Sequence, residues 1–253
     1  MKKLFVVGIG PGDPKNMTTA CRDAIRQSDV IVGYSKYVEL VTPLYPQKRT
    51  LDTPMTRETE RCRAALRLAA QGETVAVVCS GDAGVYGMAG LIYELSDIGK
   101  KKMIPQLDKI PVYIEIVPGV TAALAGAAVL GAPLTHDFAV ISLSDLLTPW
   151  ELIEKRLSCA AAADFCVVLY NPSSKKRPDY LQRACDVLLR HKSPETVCGL
   201  VHNIGREGQH AEVMPLKQLG RAQADMFTTV FVGNAQTKNL NGKMVTPRGY
   251  RLD

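Results

Sequence analysis

Short apolar, β-branched runs recur along the chain, each cut off by a turn that carries glycine or proline. Leu4 to Val7, Val30 to Val32 and Thr74 to Cys79 are the first three. Runs that are apolar at successive positions predict strands of a parallel sheet covered on both faces. Between them the pattern turns helical. Thr18 or Thr19 can cap a helix to about Gln27. Leu51 to Thr56 reads as a loop, and Thr56 heads an Arg/Glu-rich helix to about Ala70. Tyr86 to Gly90 opens a helix to about Asp97, followed by a solvated turn at Lys100-Lys101-Lys102. Pro111 to Val117 alternates through Val112, Ile114 and Ile116, as a strand does. The pattern then restarts. Strands are expected at Phe138–Leu143, Phe165–Leu169, Thr196–Val201 and Thr228–Val232, with helices from Pro149 and over Pro178–His191. Alternating strands and helices define the α/β class. The restart predicts two α/β domains, residues 1–120 and 121–253, joined near Pro118 to Leu134.

The one long uncharged run, Ile116 to Thr135, could be mistaken for a membrane span. It is rich in Ala and Gly, which insert poorly, and contains Pro118 and Pro133. A buried helix between two loops is the better reading. Met1 to Ile9 resembles a signal peptide only briefly. Its apolar run is short and is broken by Gly10-Pro11-Gly12-Asp13-Pro14, so it reads as the first strand.

Composition excludes several classes. With 46% hydrophobic and 22% charged residues the chain is globular. The seven cysteines include no CxxC pair, so no zinc or redox motif and no metal site is expected. An odd number of cysteines in apolar surroundings reads as reduced core thiols of a cytoplasmic protein. The net charge of +6 suits an acidic small molecule. Only 6% of residues are aromatic, and none is interleaved with a basic run, which argues against nucleic acid.

The candidate chemistry lies in the turns. Ser80-Gly81-Asp82-Ala83-Gly84 ends a strand and leads into a helix, which places it at the carboxyl edge of a sheet, where open α/β folds bind ligands. The alternative is a tight turn with no ligand. Pro118-Gly119-Val120-Thr121-Ala122-Ala123 is a second such junction. Two neighbouring strand ends short of charge describe a slot for a partly apolar or adenine-like ligand. Gly8-Ile9-Gly10-Pro11-Gly12 imitates a dinucleotide fingerprint. However, Pro11 removes an N–H, and Val32-Gly33-Tyr34 stands where the ribose would want an acid. A dinucleotide-dependent oxidoreductase is therefore disfavoured. Arg57 and Arg61, four apart, are expected to share a helix face and could bind carboxylates. Arg63 and Arg67 read as solvated.

GIGPGDP, SGDAGVYGMAG, PGVTAA and YNPSS, in that order, resemble the tetrapyrrole (corrin and porphyrin) methyltransferases over essentially the whole chain. GAPLTHDFAVISLSDLLTPW, VGYSKY and TPRGY look like the branch that methylates C-17 of precorrin-3B or cobalt-factor III with ring contraction, in cobalamin formation. SLSDLLTPW speaks against the C-11 and C-20 branches. The resemblance implies S-adenosylmethionine in the cleft between two α/β domains, and a homodimer. It implies a cofactor shell of Ser80, Gly81, Asp82, Ala83, Gly84, Val85, Tyr86, Thr121 and Ala122. The second half would add Tyr170, Asn171, His202, Asn203, Gly205 and Thr228 or Thr229, with Pro11 at the edge. It makes Gly10 and Gly12 part of a substrate-side loop, and Tyr34, Lys36, Arg57 and Arg61 holders of the macrocycle's carboxylates. Some uroporphyrinogen-methylating relatives carry an aspartate base after the second strand. Here that segment is Gly33-Tyr34-Ser35-Lys36-Tyr37, so no such base carries over.

Methyl transfer from a sulfonium needs orientation and a dry site more than a nucleophile. Ring contraction adds a need for a hydrogen-bond donor or acid. The candidates are Ser142, Ser144 and Asp145, with His136 just before the strand. Asp145 has an alternative as a helix cap, and His136 as a locally bonded loop residue.

Overall fold

The computed structural model describes residues 3–101, 112–174 and 177–251. Pro111, the expected strand start, and Lys102 of the lysine turn lie outside the described residues. The chain separates into two compact units, Met1–Thr121 and Ala122–Asp253.

In the first unit, β1 (Lys3–Gly8), β2 (Val30–Tyr34), β3 (Arg49–Thr53), β4 (Val75–Cys79) and β5 (Tyr113–Val117) form one sheet. Its order is β3-β2-β4-β1-β5 and every pairing is parallel. The helices are α1 (Thr19–Gln27), α2 (Ser35–Val41), α3 (Glu58–Gln71) and α4 (Ala89–Lys101). Side chains alternate along a strand, and here both faces are covered. Leu4 and Val6 pack with Cys62 and Leu66 of α3 and Ile92 of α4. Phe5 and Val7 pack with Cys21 and Ile25 of α1 and Val38 and Val41 of α2. This is why β1 is apolar at successive positions. Thr18 is the cap of α1, its Oγ1 accepting from Cys21 N at 3.0 Å. Gly72 ends α3 with φ 115°, the left-handed backbone glycine tolerates.

Three expectations need correction here. The segment read as a loop from Leu51 opens inside a strand, β3, whose polar sequence RTLDT hides its pairing with β2. The helix expected from Thr56 begins at Glu58, and Arg57 stands at its cap with no side-chain cap bond. Helix α4 runs through Lys101, beyond the turn expected after Asp97.

The second unit begins with α5 (Ala122–Leu130) and β6 (Gly131–Ala132). Then come β7 (Phe138–Ser142), α6 (Trp150–Ala162), β8 (Cys166–Tyr170), α7 (Tyr180–Leu188) and β9 (Val197–His202). It closes with β10 (His210–Pro215), α8 (Leu216–Leu219), β11 (Thr228–Val232), β12 (Lys238–Leu240) and β13 (Lys243–Val245). The main sheet runs β10-β9-β11-β8-β7. Only β7 and β8 are parallel in it; β8, β11, β9 and β10 pair antiparallel in turn. The alanine-rich run is the nine-residue helix α5, lying on this sheet. Its small side chains permit a close approach: a Cβ at Gly126 would sit 2.8 Å from the Phe231 ring. Among the described residues no helix is long and apolar enough to cross a membrane.

Candidate functional site

Strand β1 lies between β4 and β5, so the chain steps over β1 on its way from β4 through α4 to β5. The carboxyl ends of these three strands therefore meet at a switch point, the usual ligand edge of an open parallel sheet. Their turns touch backbone to backbone. Ile9 N donates to Cys79 O at 2.9 Å. Gly10 and Gly81 exchange N–H···O bonds of 3.1 and 2.8 Å. A Cβ at Gly8 would be 2.7 Å from both Gly119 N and Gly81 O, and one at Gly119 would be 2.2 Å from Gly81 O. Glycine is required because nothing else lets three main chains converge so tightly.

Asp82 fastens this junction. Its Oδ1 accepts from Gly84 N at 2.7 Å and its Oδ2 from Gly119 N at 2.9 Å. One carboxylate thus ties the turn after β4 to the turn after β5. Gly81 and Ala83 are buried, Gly84 and Tyr86 are exposed, and Ser80 and Val85 are half-buried. Tyr86 holds φ 54°, an uncommon conformation for an aromatic residue. Pro11 and Thr121, on the same edge, close the set expected in this unit. Gly10 (φ 77°) and Gly12 (φ 155°) shape the loop after β1.

The carboxylate-holding set is rearranged. Arg57 is exposed and pairs with Glu60 at 3.3 Å. Arg61 is the correction: expected to share its face, it is 3% exposed. Its guanidinium donates to Thr53 Oγ1 at 2.9 Å and Pro54 O at 3.1 Å, so it braces the segment after β3. Arg63 and Arg67, read as merely solvated, join Thr56, Arg57, Thr59 and Glu60 around a groove of about 440 Å³. Lys36 pairs with Glu39 at 3.0 Å, and Tyr34 stacks edge-on against Tyr37 at 5.1 Å. Residues 33–37 bring no acid, but β3 does: Ser35 Oγ donates to Asp52. Local sequence hides this, because Asp52 reaches Gly33 only through strand pairing.

In the second unit the expected residues line one edge of the sheet. Ser142 pairs with Tyr170, and His202 with Thr228. Tyr170 Oη accepts from Ala123 N at 2.8 Å, capping the first turn of α5. Asn171 (φ 53°) donates through Nδ2 to Ser142 Oγ at 2.9 Å. Asn203 (φ 50°) and Gly205 (φ 66°) turn the chain after β9, and Gly205 N donates to Gln209 Oε1 at 2.7 Å. Thr229 is buried. His202 Nδ1 lies 3.0 Å from Thr228 Oγ1, and its ring stacks on His210 at 4.3 Å. Burial, with His210 beside it, holds its pKa below the ordinary histidine value, so the ring is neutral near pH 7.

The SLSD residues separate by role. Ser144 N donates to Ser142 Oγ at 3.2 Å. Asp145 is not a helix cap; Pro149 holds that place before α6. Instead its carboxylate accepts from Arg177 Nη1 at 3.0 Å and from Tyr180 Oη. The same Arg177 nitrogen donates to Ser144 Oγ at 3.0 Å. The Tyr180 hydrogen bond first, and the Arg177 charge after it, hold the Asp145 carboxyl below the usual carboxylate range despite partial burial. At neutral pH it is an anion whose acceptor positions are engaged. His136 lies two residues before β7, beyond the end opposite Ser142, and the strand between Phe138 and Ser142 alone spans roughly 13 Å. It is held locally, its Nδ1 accepting from Asp137 N at 3.1 Å. The structure therefore does not bring it to the serines. Arg177 and Tyr180 were invisible as partners because they lie 32 and 35 residues along the chain.

The Asp145 clamp supports a prediction. Asp145→Asn should cost about 1–2 kcal/mol of unfolding free energy at pH 7, because Arg177 loses its carboxylate. A carboxyl depressed in the fold stabilises above its unfolded value, 3.8, and loses that contribution as pH falls through the lower folded value. Urea unfolding should show a constant wild-type advantage from about pH 8 to 5 that shrinks below about 4. An advantage that peaks in acid would remove the clamp.

The buried thiols of Cys62, Cys79 and Cys185 supply no nucleophile at neutral pH. Burial pushes Cys62 and Cys185 up to about 12 and Cys79 to about 11.

The chain as a whole is similar to known proteins. Residues 3–220 match the model of the Tetrapyrrole (Corrin/Porphyrin) Methylases, and the chain belongs to that family. Within it, the chain is 45% identical to the "Probable cobalt-factor III C(17)-methyltransferase" of Salmonella typhimurium, over 98% of this chain and 100% of that protein. It is 46% identical to the "Cobalt-factor III methyltransferase" of Priestia megaterium, again over 98% of this chain, but spans only 45% of that protein's length. Among solved structures, that of the methyltransferase CobJ superposes with a TM-score of 0.87 at 36% identity, covering 98% of this chain and 100% of that one.

Proposed function

We propose that this chain is an S-adenosylmethionine-dependent methyltransferase acting at C-17 of cobalt-factor III or precorrin-3B, with ring contraction, in cobalamin biosynthesis. The observation that carries the reading is the convergence of the β1, β4 and β5 turns, with glycine at each contact, in a chain nearly half identical to a C-17 methyltransferase over its full length.

The first unit's edge suits the cofactor. It presents main-chain groups and little charge beyond Asp82, whose oxygens are already engaged. An adenine edge and an amino-acid tail can be read by backbone N–H and C=O without charged side chains. In that unit the proposed contacts are Pro11, Ser80 to Tyr86 and Thr121. In the second they are Ala122, Tyr170, Asn171, His202, Asn203, Gly205, Thr228 and Thr229. The bound cofactor supplies an activated methyl group. The protein's part is to orient it and exclude water.

The groove around Arg57, Arg63 and Arg67 suits a ligand fringed with carboxylates, which arginine binds in bidentate pairs. Tyr34 and Lys36 with the Gly10–Gly12 loop complete the proposed substrate side. Arg61 braces the β3 end from inside. Ser142 and Ser144 are the proposed hydrogen-bond groups for the reacting ring, kept in place by Asn171 and Arg177. We also propose a homodimer in a reducing, cytoplasmic setting, where six buried free cysteines would stay reduced.

Anaerobic incubation with cobalt-factor III and S-adenosylmethionine tests the reading. It expects one methyl gained per ring, one S-adenosylhomocysteine released, and the spectrum of a contracted macrocycle. Arg57→Ala should raise KM for the tetrapyrrole about tenfold and leave cofactor affinity unchanged, since its Glu60 pair is exposed and weak. Methylation at another carbon would place the chain in a different branch. No transfer with either tetrapyrrole would reject the proposal.

A further inference from the structure

The geometry points to a divalent transition-metal site built by His202, His210 and Glu212 on one face of the β9–β10 hairpin. No cysteine spacing or metal motif in the sequence announces it. Strand pairing creates it. His210 lies directly opposite His202 across the antiparallel ladder, and Glu212 is two residues along the same strand. Residues two apart on a strand face the same way. The three side chains therefore share a face, and one ligand atom from each lies within 4.8 Å of the others.

Each histidine is already set in the tautomer a metal needs. Thr228 Oγ1 gives its only hydrogen to Asp225 Oδ1 at 2.8 Å and accepts from Asp225 N at 3.0 Å. Its remaining lone pair must accept from His202, so His202 Nδ1 carries the proton. The lone pair of His202 is then on Nε2. That atom is buried without a hydrogen-bond partner, 3.7 Å from Glu212 Oε1. A buried, unpartnered nitrogen is costly unless something occupies it. His210 repeats the arrangement: its Nδ1 lies 3.0 Å from Gly208 O, so it donates there and leaves Nε2 free. Metal-binding histidines are oriented in this manner, by a carbonyl or carboxylate-linked acceptor behind the other ring nitrogen.

Two imidazoles and a carboxylate form a donor set for zinc, cobalt(II), nickel or ferrous iron rather than magnesium or calcium. The two rings stack within 5° of parallel, so their lone pairs lie in separate planes, and bonds near 2.0–2.1 Å require the His210 ring to turn out of the stack as the ligand atoms draw together. The exposed His210 and Glu212 side chains, on edge strand β10, can make that movement. The exposed side leaves room for water or a ligand group to complete the coordination. His202 also belongs to the proposed cofactor contacts, so the test leaves it unmutated.

The full-length chain carrying Cys159→Ser, which removes the exposed thiol, is stripped with chelator. It is then titrated with zinc by calorimetry and with cobalt(II) by absorption. The expected result is one ion per chain and cobalt ligand-field bands without a thiolate charge-transfer band. His210→Ala and Glu212→Gln should each weaken binding at least tenfold. His210 and Glu212 are exposed, so their variants should fold. No uptake, uptake equal in His210→Ala, or a thiolate band would each overturn the site. Methyl transfer, assayed separately, reports on the proposed activity and not on this ion.

Discussion

Gly119→Ala is expected to lower the unfolding free energy by about 3 kcal/mol and to abolish S-adenosylmethionine binding. The new Cβ would sit 2.2 Å from Gly81 O and 2.6 Å from the Gly8 carbonyl. These neighbours are backbone, not side-chain tips that could swing aside. Both are also tied: Gly8 pairs with Cys79 in the sheet, and Gly81 exchanges two hydrogen bonds with Gly10. Relief therefore requires the β1, β4 and β5 ends to separate, which would undo the proposed cofactor edge. Gly90→Ala is the matched control, because a Cβ there meets nothing within 4 Å. It lies in α4, where alanine is the better helix former, so stability should hold or rise slightly. Urea midpoints and calorimetric cofactor titration read both variants. A stable, cofactor-binding Gly119→Ala protein would mean that the three turns do not need their close approach.

The central sheet strands were legible because their cause is local. A strand covered on both faces must be apolar at every position, and Leu4 to Val7 and Val75 to Cys79 are. The alanine-rich run could be assigned to a buried helix for a related reason: small side chains allow α5 to lie close to Phe231. The edge strands β5 and β7 were legible too, but the edges β3 and β10 were not. β3 is polar and β10 is mostly exposed, so neither has the burial that leaves a hydrophobic signature. What those edges carry was hidden with them: Asp52 beside Ser35, and His210 with Glu212 opposite His202. Charged side chains were misread where their partners are distant in sequence. Arg61 looks like a surface arginine until α3 packs it under Thr53 and Pro54. Asp145 looks like a cap until α7 brings Tyr180, with Arg177 just before it. The glycine turns were the reverse case. Their positions were readable, but not the reason, which is that three turns share the same few ångströms.

Asp82→Asn should weaken S-adenosylmethionine binding by about 10–100-fold while leaving the chain folded. The carboxylate accepts from two main-chain N–H groups at once, Gly84 at 2.7 Å and Gly119 at 2.9 Å. An amide of the same shape can offer one oxygen only. Its NH₂ would face the second N–H, donor against donor. Leaving one such group unsatisfied costs about 1–3 kcal/mol, which is the stated range of affinity if the cost falls on the turn that meets the ligand. The β1 and β4 ladder and the Gly10–Gly81 pair do not depend on Asp82, so the sheet should survive. Asp82→Ala removes both bonds and should bind no detectable cofactor. Circular dichroism and urea unfolding would establish the fold, and calorimetry the affinity. A loss of affinity that merely tracks loss of folded protein would make Asp82 a structural staple with no part in the cofactor edge. Unchanged affinity in the alanine variant would remove the Ser80–Gly84 turn from the site altogether.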